Sequence, residues 1–66
     1  MRIEMKIKAL RMNKNMSLQD LSKKSGISTT HIHDIENNLK SPSLIVMVIL
    51  AKALDTDITT LYKIYN

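Results

Sequence analysis

A chain of 66 residues, 44% of them apolar and none of them cysteine, can build one small core with no disulfide and no thiolate metal site to brace it. Ten Lys and Arg against six Asp and Glu give a formal charge of +4, which favours polyanionic partners, and the length leaves no room for a second fold. The longest apolar run, Leu44 to Ala51, is far short of the ~20 residues that cross a bilayer. Residues 1–6 alternate charged and apolar side chains where a secretory leader would carry an unbroken apolar stretch. The expectation is therefore one domain over residues 1–66, cytoplasmic, with no membrane partner. So small a core also favours pairing with a second copy.

In chain order, Met5, Ile7 and Leu10 alternate with Lys6, Lys8, Arg11 and Lys14 and predict a first helix over residues 4–14 with a basic outer face. Asn13-Lys14-Asn15 supplies the stop. The residues leave open whether the segment from Arg2 to Glu4 is helix or strand. Ser17 followed by Asp20 has the form of a capping box. It starts a second helix over 18–25, with Leu18 and Leu21 inward and Lys23 and Lys24 outward. Gly26, the only glycine, ends that helix by adopting a positive φ at little cost. Ile27 then plugs the turn, and Ser28 caps a third helix over 29–37. Ile32 and Ile35 share its inner face, which leaves Thr30, His33, Asp34 and Asn37 on the outer one. Hydrogen-bonding side chains on such a face are what base-edge recognition in a groove requires.

Asn37-Asn38 replaces a terminating glycine, and Leu39-Lys40-Ser41-Pro42 forms a loop. Ser43 caps a fourth helix over 44–54, apolar around nearly its whole circumference and so in need of cover on more than one side. Asp57 caps a last helix from Ile58 to about Lys63, with Ile58 and Leu61 inward.

Two short helices hinged at Gly26, an apolar residue directly after it, and Ile32 and Ile35 in the second helix together resemble the helix-turn-helix of the Cro and phage-repressor family, also called the XRE family. The likeness extends to Ile7-Lys8-Ala9-Leu10-Arg11 before the motif, and to Ser41-Pro42-Ser43-Leu44 and Leu50-Ala51-Lys52-Ala53-Leu54 after it. The resemblance implies an all-α, five-helix, lambda-repressor-like domain, with the motif at about 18–37. Such a domain binds double-stranded operator DNA as a homodimer and lays its second motif helix in the major groove. It further implies base-reading positions at Ser28, Thr29, Thr30 and Asp34, with His33 beside them. Phosphate contacts would come from Asn37, Lys40 and the backbone around Ser17 and Leu18, and Lys23 and Lys24 would add charge. Arg11 and Glu36 match a structural ion pair. Leu18 stands where a glutamine clamp is often found, and no Arg lies on the reading face. The strong bidentate contact to guanine is thereby withheld. Ile45, Val46 and Ile49 replace residues that are usually polar, which points to a dimer seam shared with Tyr62 and Tyr65.

Other readings of the same residues are weaker. His31 and His33 are two apart, so a helix splays them about 200° and they cannot share a metal ion. Ser22, His31 and Asp34 lack an oxyanion-hole signature, and an enzyme is not expected. Neither a cofactor nor a small-molecule ligand is expected. The reading that follows is a sequence-specific transcriptional repressor on a palindromic operator. The alternative is an antitoxin or anti-repressor that binds another protein through helix 44–54. A membrane-surface binder is disfavoured, because the cations lie around the motif and not beside the apolar run.

Overall fold

Residues Met1–Asn66 are all described by the computed structural model, as four helices and a two-stranded sheet. The order is β1 (Arg2–Met5), α1 (Ile7–Asn13), α2 (Leu18–Ser25), α3 (Thr29–Glu36), α4 (Leu44–Ala53), a single 3₁₀ turn (Ile58–Thr60) and β2 (Tyr62–Tyr65). The strands pair antiparallel, Arg2 with Tyr65 and Met5 with Tyr62.

The expected five-helix, all-α architecture is thus corrected at both ends of the chain. The first helix starts at Ile7 and not at residue 4, because Arg2, Ile3, Glu4 and Met5 alternate with the period of a strand and find one to pair with. The fifth helix does not form. Asp57 does cap a turn, accepting from Thr59 N–H at 3.0 Å, and these bonds hold its carboxyl below the usual range. Thr60 then turns its hydroxyl back onto the Asp57 carbonyl at 2.7 Å. Tyr62, Ile64 and Tyr65 follow, aromatic and β-branched residues better suited to a pleated surface than to a helix.

One apolar cluster holds these elements together. Ile7, Leu21, Ile32, Ile35, Leu50, Leu54 and Leu61 are fully buried, and Met47, Ala51 and Ala53 nearly so. The spacing of the helical members places one face of each helix inward, and α2 packs on both α3 and α4. A main-chain bond from Lys6 N–H to the Leu61 carbonyl at 2.7 Å stitches the sheet to the start of α1.

Every helix ends by a left-handed residue. Asn15, Asn38 and Asp55 have φ near +55°, and behind each the chain closes a Schellman pair of main-chain bonds, as in Leu39 N–H to Asp34 O at 2.8 Å with Asn38 N–H to Ile35 O at 3.2 Å. Gly26, at φ +77°, ends α2 and bonds back to the Ser22 carbonyl at 2.8 Å. A methyl group added there would meet no neighbouring atom, so only the backbone conformation penalises it. Gly26→Ala is expected to lower the unfolding free energy by about 1 kcal/mol in urea denaturation, and Gly26→Asn by less.

Candidate nucleic-acid interface

The pair α2 and α3 is fixed by its caps before any tertiary contact is considered. Ser17 Oγ accepts from Asp20 N–H at 3.0 Å while Asp20 Oδ2 accepts from Ser17 N–H at 2.9 Å, the reciprocal pair of a capping box. These bonds hold the exposed Asp20 carboxyl below its ordinary pKa. They also leave the next donors, Leu18 and Gln19 N–H, as the free amides at this helix start, with the dipole favouring an anion beside them. The Leu18 side chain is half-buried and packs against the core. At the next helix, Ser28 Oγ accepts from His31 N–H at 3.1 Å, and the half-buried Ile27 occupies the turn between.

Ile32 and Ile35 are fully buried, so α3 is seated by these two side chains and presents the opposite face outward. Ser28, Thr30, His33 and Asn37 are exposed, with Thr29 and Asp34 half-exposed beside them. His33 Nδ1 lies 3.6 Å from Asp34 Oδ1, their side chains 56% and 21% exposed. The Asn37 amide nitrogen donates one of its two hydrogens to the His33 carbonyl at 2.8 Å, which helps to end the helix and leaves the second hydrogen and the amide oxygen for another partner. Lys23, Lys24 and Lys40 are exposed, the first two in the last turn of α2 and the third in the loop after α3.

Arg11 and Glu36 are brought together. The guanidinium of Arg11 donates from Nε and Nη2 to the two Glu36 carboxylate oxygens at 2.8 and 3.1 Å, and from Nη1 to the Met16 carbonyl at 3.0 Å. The side chains are only 10% and 2% exposed, and the hydrogen bonds to Glu36 raise the already high pKa of Arg11. One side chain therefore ties α1 to the last residue of α3 and to the loop that enters α2.

A second surface lies on α4. Leu44 and Ile45 are 74% and 69% exposed and Val48 is exposed as well, while Val46 and Ile49 are half-buried and Val46 rests on the core. Leu44 and Val48 belong to this stripe but stand outside the sequence-derived set, although the spacing of four was there to be read. Tyr62 and Tyr65, both half-buried, leave opposite faces of the sheet. Tyr62 joins Ile3, Met5 and Ile64 on the apolar face, which borders an open groove of about 530 Å³ closed on its other side by Pro42, Leu44, Met47 and Ile58. Tyr65 lies on the polar face, where its hydroxyl donates to Glu4 at 3.2 Å and Arg2 sits 4.4 Å from its ring. Lys6 and Tyr65 together hold the Glu4 carboxyl below the usual range.

Residues 7–61 match the family described as Helix-turn-helix. Among solved structures, the N-terminal DNA binding domain of SinR from Bacillus subtilis is similar, with 32% sequence identity, coverage of 83% of this chain and 81% of that one, and a TM-score of 0.77. No curated protein matches.

The buried ion pair generates its own test. Glu36→Ala strands the Arg11 charge away from water and is expected to cost about 3 kcal/mol in urea denaturation, whereas Arg11→Met combined with Glu36→Met should cost much less, since no unpaired charge remains.

Proposed function

Because this chain belongs to the helix-turn-helix family, we propose that it is a DNA-binding transcription regulator, a repressor that occupies a palindromic operator as a homodimer. The observation that carries the reading is the seating of α3. Two buried isoleucines and the Arg11–Glu36 fork fix it, and its outer face consists of hydrogen-bonding side chains and no large apolar one. In the major groove, Ser28, Thr29, Thr30, His33 and Asp34 would meet base edges, with hydroxyl and carboxylate groups matched to the donors and acceptors there. The free amides of Leu18 and Gln19, next to the Ser17 cap at the start of α2, together with Lys23, Lys24, Asn37 and Lys40, would hold phosphates on either side. Ionic contacts of that kind make binding fall steeply with salt.

A palindrome asks for two copies, with readers about one DNA turn, ~34 Å, apart. The exposed apolar stripe on α4 supports such pairing, since contiguous apolar surface of this kind is uncommon on a stable monomer. Ile45, Val46 and Ile49 with Tyr62 and Tyr65 would form the seam, and Leu44 and Val48 extend it. Bound across a promoter, the dimer would exclude polymerase.

The same stripe supports a second reading, in which α4 docks on a different protein and the chain acts as an antitoxin or anti-repressor. Sedimentation and DNA binding separate the two. The wild-type chain is expected to sediment as a dimer and to lose several powers of ten in affinity for its selected site between 50 and 200 mM salt. Ile45→Glu with Ile49→Lys should sediment as a monomer and bind that site weakly. A double variant that stays dimeric would overturn the seam, and a monomeric wild-type chain without DNA affinity would favour the second reading.

A further inference from the structure

The reading face of α3 is short of positive charge. Its sequence, Thr29-Thr30-His31-Ile32-His33-Asp34-Ile35-Glu36, has neither Lys nor Arg, and Glu36 is spent on Arg11. What remains outward is one carboxylate, Asp34, with no Lys or Arg within 4 Å and only the imidazole of His33 beside it at 3.6 Å. Asn37 adds an amide that keeps its acceptor oxygen and one N–H beyond the hydrogen it gives to the His33 carbonyl. Thr30, four residues before Asp34, lies on the same face.

An ionised carboxylate can only accept hydrogen bonds. Guanine offers O6 and N7 in the major groove and thymine offers O4, all acceptors, so Asp34 is repelled by both. Adenine offers an amine beside the acceptor N7. Cytosine offers its N4 amine with no acceptor on that edge of its own ring, which makes it the base least hostile to a carboxylate. Resting on the DNA-binding reading above, we propose that Asp34 reads the N4 amine of a cytosine in each operator half-site, and that methylation of that amine weakens binding.

The weakening follows from elementary geometry. A cytosine amine has two hydrogens, one used in Watson–Crick pairing and one directed into the major groove. An N4-methyl group that leaves pairing intact must replace the second, which is the hydrogen Asp34 would accept. A methyl group at C5 leaves that hydrogen in place. The regulator would thus distinguish two isomeric methylcytosines at one position of its operator.

The experiment is selection of bound DNA from a random pool with the wild-type chain, Asp34→Ala and the isosteric Asp34→Asn, followed by affinity measurement on the winning site. The expected result is one C·G column per half-site that Asp34→Ala flattens and Asp34→Asn shifts toward A·T, because an amide pairs with the N6 and N7 of adenine. All other columns should persist. N4-methylcytosine in that column should weaken wild-type binding about tenfold, and 5-methylcytosine by less than about twofold. The proposal is overturned if the Asp34-dependent column is A·T, if no column responds to either variant, or if N4-methylation has no effect. Failure of the wild-type chain to enrich any sequence overturns the DNA-binding reading itself and this proposal with it.

Discussion

The rest of the molecule depends on one buried cation. Arg11 leaves α1 with a planar fork of donors, gives two of them to Glu36 at the far end of α3 and a third to the Met16 carbonyl in the loop before α2. A charge so little exposed is costly unless its donors are matched, and here carboxylate and carbonyl match them. The geometry is what matters for function. Ile32 and Ile35 seat one face of α3 in the core, and the bidentate contact at its last residue adds a directional constraint on its rotation. The same side chain holds the entry to α2, so both halves of the motif answer to a single residue on a helix outside it.

The motif was legible in the sequence because its boundaries are local chemistry. Ser17 with Asp20, Gly26 and Ser28 each satisfy or terminate main-chain groups within four residues, and α2 and α3 begin where those residues say. Asn15 and Asn38 at helix ends are of the same kind, whereas Asp55, which ends α4 in the same left-handed way, carries no such signal in its residue type. The ends of the chain were not legible, because a strand exists only by virtue of its partner. Arg2 to Met5 fit either a strand or the first turn of a helix until Tyr62–Tyr65, at the other end of the chain, is known to lie beside them. Asp57 misled for a related reason. Its cap is real, but Thr60 and the aromatic strand that follows turn the start of a helix into a single turn.

At the candidate site, the residue types on α3 could be read from spacing, but their engagements could not. Nothing in the order of residues says that the Asn37 amide would close α3 or that Asp34 would have only a histidine for company. On α4 the composition announced an excess of apolar side chains without saying which were surplus. The core takes Met47, Leu50, Ala51 and Ala53, with Val46 resting on it, while Leu44, Ile45 and Val48 form an exposed stripe whose first residue lines the groove beside the sheet. The molecule has two exposed faces of opposite character, one polar and one apolar.

The pairing of β1 with β2 also imposes an order in time. During synthesis α1, α2 and α3 are available before β2 exists, and at about 5–20 residues per second the delay is on the order of seconds. Through that interval β1 is a nascent strand with unpaired main-chain groups on both sides, open to the wrong neighbour. Arg2 and Glu4, charged residues on one face of a four-residue strand, are suited to guard it while it waits, and they become partners of Tyr65 only when the last strand arrives.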